Sequence, residues 1–125
     1  MTSKILSALI VFGLSASAVS ASTLVSIKTD GGKIIASGAN KMTLYTFRND
    51  APNTSACYGD CAEAWPPFLA SASEQPEGAL GIILRRDGAR QWVLDGKPLY
   101  FWAGDDRPGD VTGDGVGGVW DAVRR

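Results

Sequence analysis

The feature that most constrains this chain is that it repeats itself. Leu44-Tyr45-Thr46-Phe47 aligns with Leu99-Tyr100-Phe101-Trp102. With no gap, the same spacing superposes Asp50 on Asp105 and Trp65 on Trp120. Each half therefore reads Leu-Tyr-x-aromatic-x-x-Asp, then a polar glycine-containing loop, then tryptophan. Asp30-Gly31 and Asp87-Gly88 correspond as turns at a slightly different spacing. A repeat of about 50 residues buries too little apolar surface to stand alone. Two pseudo-repeats, about 24–69 and 79–124, are thus expected to share one core.

The local pattern follows period two more than the helical period. Leu24–Thr29 and Lys33–Ser37 flank Asp30-Gly31-Gly32, a hairpin signal. Met42–Arg48 reads as a strand with Leu44, Thr46 and Arg48 on one side and Tyr45 and Phe47 on the other. Leu80–Arg86, Asp87-Gly88 and Arg90–Leu94 predict another hairpin. Asp95-Gly96 predicts a two-residue turn into Lys97–Trp102, and Val116–Val123 a last strand. One short helical turn is expected near Asp60–Trp65, stopped by Pro66-Pro67, and Ala70–Gly78 reads as a surface loop. The fold class is all-β: a small, mainly antiparallel sheet closed as a sandwich or barrel. Expected core residues are Leu44, Leu99, Tyr45, Tyr100, Phe47, Trp102, Trp65, Trp120, Trp92, Ile83 and Leu94.

Residues 1–21 read as a secretory signal peptide: Lys4, the apolar run Ile5–Val19, and small or compact residues at Val19-Ser20-Ala21. Ala16-Ser17-Ala18 is a second possible cleavage site. The run is short against the roughly 20 residues of a membrane span, and no later segment is apolar enough to cross. Residues 22–125 are then one soluble β-rich domain. Cys57 and Cys61, in an exported segment, favour a disulfide over a redox or metal role. A ring this small contributes about 2 kcal/mol.

The chain has no histidine, and 12 basic residues stand against 13 acidic ones. Histidine-dependent nucleophile systems and histidine-ligated metals are excluded. Without a basic surplus, nucleic acid is not an expected partner. No cofactor is implied, because Gly113–Gly118 lacks the Lys-Ser/Thr ending of a phosphate loop.

Tyr45-x-Phe47-x-x-Asp50, Cys57-x-Gly59-Asp60-Cys61-Ala62, Trp65-Pro66-Pro67 and Gly113-Asp114-Gly115-Val116-Gly117-Gly118-Val119-Trp120 resemble the bacterial "secreted repeat of unknown function" family. That family is also described as predicted lipoproteins with a Tyr-x-aromatic-x-x-Asp motif. The resemblance spans Lys41–Val123 and implies an exported, envelope-associated protein of no established activity. No cysteine follows the apolar leader, so the lipid-anchoring site of lipoprotein members is missing, which points to a free periplasmic or secreted protein. Where many members carry histidine after the last tryptophan, this chain has Asp121.

Two candidate sites follow from the residues. The doubled motif, Tyr45, Phe47, Asp50, Tyr100, Trp102 and Asp105, is either a repeated packing solution or an aromatic and carboxylate cleft for a small apolar or cationic ligand. Asp105, Asp106, Asp110 and Asp114 lie in a glycine-rich loop that can offer oxygens to a hard cation such as calcium, although Asp-Gly steps also serve tight turns. The leading expectation is a non-enzymatic binding or structural module whose partner is an envelope component or small ligand. The alternatives are a carboxylate hydrolase of envelope polysaccharide using Asp50 and Asp105, and a calcium-binding module.

Overall fold

The computed structural model describes residues 22–125, so the expected signal peptide lies outside the described residues. The elements are β1 (Leu24–Thr29), β2 (Gly32–Ser37), β3 (Tyr45–Phe47), α1 (Asp60–Ala64), β4 (Leu80–Leu84), β5 (Arg90–Leu94), β6 (Lys97–Pro98) and β7 (Trp120–Ala122). They form an all-β fold of small antiparallel sheets: β1-β2, β3-β7 and β4-β5-β6.

Turn chemistry closes the hairpins. Thr29 pairs with Gly32, leaving Asp30-Gly31 as the two-residue loop. Leu94 pairs with Lys97 across Asp95-Gly96, where φ is 52° and 81°. Positive φ at both central residues matches the right-handed twist of the flanking strands, and Asp-Gly tolerates it. Helix α1 ends at Trp65, directly before Pro66. The expected final strand is corrected: Val116–Gly118 is a 3₁₀ turn, with Gly117 and Gly118 at φ 61° and 71°, and the strand begins at Trp120. The strand expected over Met42–Arg48 contracts to β3, preceded by a bridge from Thr43 to Ala36.

The two repeats superpose in their backbone bonding, not only in their letters. Tyr45 and Tyr100 exchange N–H and C=O at 2.8 and 2.9 Å, so a pseudo-two-fold axis passes between them. Around it, Leu44 N donates to Ile35 O as Leu99 N donates to Trp92 O, both at 3.0 Å. Ile35 N donates to Val123 O (2.8 Å) as Trp92 N donates to Phe68 O (2.9 Å). Val123 N and Phe68 N then return bonds to Leu44 O and Leu99 O, both at 2.9 Å. Each repeat thus completes the sheet of the other. The exchange is strand-like only once: β7 pairs with β3, whereas its counterpart is reduced to the bridge of Pro67 with Tyr100. Pro66 and Pro67 have no N–H to extend that ladder.

Period two then divides the interior. Tyr45, Tyr100, Trp65, Trp120, Ile34, Cys57 and Ala122 form one cluster. Leu44, Leu99, Ile35, Phe68, Trp92 and Leu94 form the other. Neighbours in sequence enter different clusters because successive side chains leave a strand on opposite faces. Phe47 and Trp102 are partly buried against the first cluster. Ile83 belongs to neither, since register places Ile82 against Trp92 and leaves Ile83 opposite Gln91.

Candidate functional site

The doubled motif converges at the axis, and its polar atoms bond across it. Tyr45 Oη donates to Asp105 Oδ2 at 2.7 Å, and Tyr100 Oη donates to Asp50 Oδ2 at 2.6 Å. Each tyrosine therefore reaches the aspartate of the opposite repeat. Both are fully buried. Burial, then the carboxylate partner, pushes both phenols well above their ordinary range.

Four rings stack across the same axis in the order Phe47, Trp120, Trp65, Trp102, with centroids 4.2, 3.9 and 4.2 Å apart. Tyr45 meets Trp65 edge-on at 5.3 Å, and Tyr100 meets Trp120 edge-on at 5.2 Å. Such pairs contribute about 1 kcal/mol each beyond their buried area. Gly113 is required here: a Cβ would sit 2.8 Å from both Trp65 and Trp102 ring atoms.

Beyond the phenols the two halves differ. Asp105 is buried, and its Oδ1 accepts from Thr112 N (2.9 Å) and Thr112 Oγ1 (2.7 Å). Gly113 N donates to Tyr45 Oη at 3.2 Å, which closes that pair with uncharged donors. Asp50 is half-buried, and its Oδ1 accepts from Ala56 N at 2.7 Å. Tyr100 gives its only hydroxyl proton to Asp50, so Ser55 Oγ, 2.7 Å away, donates to Tyr100. Ser55 in turn accepts from Arg85 Nη1 at 3.0 Å.

Arg85 is only 3% exposed. It also donates to Gln91 Oε1 and to Cys57 O, both at 2.7 Å, while Gln91 Nε2 donates to Leu99 O at 2.8 Å. Its Nε makes no hydrogen bond among the described residues and lies 3.5 Å from Asp87 Oδ2. The Asp50 carboxyl is raised above its ordinary range: burial outweighs the opposing hydrogen bonds and the Arg85 charge. The Cys57–Cys61 disulfide is formed, and its Cys57 carbonyl anchors Arg85.

Of the ligand candidates, Phe47 and Asp50 line a surface cleft of about 380 Å³ with Arg48, Pro52, Lys97 and Asp121. Tyr45, Tyr100, Trp102 and Asp105 do not line it. Asp121 is held by Arg48 through two contacts of 2.8 Å, which lower its pKa. The loop aspartates are dispersed. Asp110 Oδ2 accepts from Asp106 N and Arg107 N (2.9 and 3.1 Å), whereas Asp114 accepts from Ala122 N and pairs with Arg124, both at 2.9 Å. Among the described residues, no group of three or more cysteines, aspartates or glutamates is arranged to hold a metal.

Sequence reasoning missed Arg85, Ser55 and Gln91. No local pattern marks them, because Arg85 follows β4 and its partners come from the distant 55–57 segment and β5.

A pseudo-two-fold pair of β units, interlocked by reciprocal tyrosine–aspartate bonds and with one small disulfide within the first unit, defines a two-repeat all-β domain. The family model described as "secreted repeat of unknown function" matches twice, at residues 25–68 and 81–124, and the chain belongs to that family. No curated protein and no solved structure matches the chain. No helix among the described residues is long and apolar enough to cross a membrane.

Proposed function

We propose that this is a non-enzymatic binding or structural module of the bacterial envelope, periplasmic or secreted. On this reading residues 1–21 are a leader that is removed, and residues 22–125 work as one β-rich unit. Its partner is an envelope component or small ligand rather than nucleic acid. The reciprocal pairing of Tyr45 with Asp105 and Tyr100 with Asp50 carries the reading. It engages the two carboxylates most suited to acid–base work in holding the repeats together.

The competing reading is a hydrolase of envelope polysaccharide with Asp50 and Asp105 as its carboxylate pair. Its support is that Asp50 faces a cleft with a raised pKa, as a general acid needs. Asp105 does not line that cleft, which weighs for the binding reading. The exported chain assayed on envelope polysaccharides and a hydrolase substrate panel is expected to show no turnover. Turnover abolished in Asp50→Asn, with an unchanged melting curve, would replace this reading with the enzymatic one.

A further inference from the structure

The pseudo-symmetry makes two sheet edges equivalent, and only one of them is guarded. Ile35 and Trp92 occupy the same place, since each donates to and accepts from corresponding partners around the axis. Ser26 lies opposite Ile35, and Ile82 lies opposite Trp92. Two residues further on, Lys28 therefore corresponds to Leu84. Ile35 and Trp92 direct their own N–H and C=O away from β1 and β4. Ser26, Lys28, Ile82 and Leu84 consequently turn their backbone groups outward, at the margins of their sheets.

The β1 margin presents exposed Ser26 and Lys28, the usual protection against unwanted strand pairing. The β4 margin presents Ile82 and a leucine that is 74% exposed. Its ends are already taken: Leu80 exchanges bonds with Glu77 (2.9 and 3.0 Å), and Arg86 N donates to Tyr58 Oη at 3.0 Å. What remains is a window centred on Ile82 and Leu84. Beside it lies a cleft of about 490 Å³ lined by Thr54, Ser55, Tyr58, Ile83, Leu84 and Arg86. The Arg86 guanidinium rests on the Tyr58 ring, 4.1 Å from its centroid. Among the described residues no carboxylate lies within ion-pair distance of it.

Resting on the binding-module reading above, we propose that the β4 edge docks a short extended peptide segment of a partner protein, with an apolar side chain over Leu84 and, on the same face, an acidic side chain on Arg86. The segment pairs with the outward backbone groups of Ile82 and Leu84, the mode in which main-chain bonds give affinity and side-chain pockets give specificity. The short window sets its length and the Arg86 guanidinium its charge.

The test uses a fluorescein-labelled eight-residue peptide of alternating valine and threonine with one central aspartate, and a matched peptide with lysine there. Fluorescence anisotropy is expected to show saturable binding of the acidic peptide to the exported chain. Leu84→Lys, which copies the guarded edge, and Arg86→Glu each weaken it by at least about tenfold, with melting midpoints unchanged. Arg86→Glu reverses the preference toward the lysine peptide. Equal binding by wild type and Leu84→Lys, or none at millimolar peptide, overturns the proposal. So does a dimer in sedimentation that Leu84→Lys dissociates, which would assign the edge to a second copy. Failure of the peptide with no turnover on the substrate panel removes this site alone, whereas turnover removes the binding-module reading independently of the anisotropy result.

Discussion

The two tyrosine–aspartate pairs share one geometry and have different surroundings. Tyr45–Asp105 is closed by Thr112 and Gly113, so its polar groups are satisfied locally by uncharged donors. Tyr100–Asp50 continues through Ser55 to a buried arginine and from there to Gln91 and the disulfide segment. Repetition thus supplies the scaffold, and divergence adds a charged interior to one side only. This buried cation is tolerated because its Nη1 and Nη2 donors are bonded and opposite charge is near. Asp87 and Asp50 provide that charge.

The contrast breaks most directly at Arg85. Arg85→Met leaves Gln91 Oε1 and the Cys57 carbonyl without the donor that holds them, and should lower stability by about 3 kcal/mol in denaturant melts. A loss below about 1 kcal/mol would mean that the two halves are energetically alike. Next come the phenols. Tyr100→Phe unpairs Asp50 Oδ2 and the Ser55 hydroxyl that also holds Arg85, and should cost about 2 kcal/mol. Tyr45→Phe unpairs Asp105 Oδ2 and Gly113 N with no charged group behind them, and should cost about 1 kcal/mol less. Equal costs would remove the asymmetry. Thr112→Val, at an exposed position, should cost at most about 1 kcal/mol.

pH sharpens the same comparison. The Asp50 carboxyl is raised in the fold, so its contribution is fully present below its unfolded pKa and lost as pH rises through the folded value. The stability deficit of Asp50→Asn should therefore widen between pH 7 and pH 3. At the alkaline end both buried phenols are raised, so their contribution is present below their unfolded pKa and lost above it. Tyrosinate absorbance from Tyr45 and Tyr100 should appear only together with loss of the near-ultraviolet dichroism. Earlier ionisation would show that one phenol is solvated.

Much of the fold was legible in the residues, because it depends on local chemistry. Asp-Gly steps at Asp30-Gly31 and Asp95-Gly96 demand turns, and alternation assigns Leu44 and Tyr45 to opposite faces. The last strand was overestimated because Gly117 and Gly118 adopt left-handed backbone that no hydrophobic pattern reports. The polar chain through Arg85 was not legible: an arginine in a strand reads as solvated until its partners, contributed by the 55–57 segment and β5, surround it.

Composition and spacing alone establish the doubled unit, the extended backbone and the closeness of the two cysteines, since each depends on residues near in sequence or on direct self-similarity. Which tyrosine bonds which aspartate, which sheet edge is guarded and where a cation can be buried are settled only when distant segments meet. The exchange of strands between repeats brings each motif to the other's carboxylate, and no local pattern specifies that crossing.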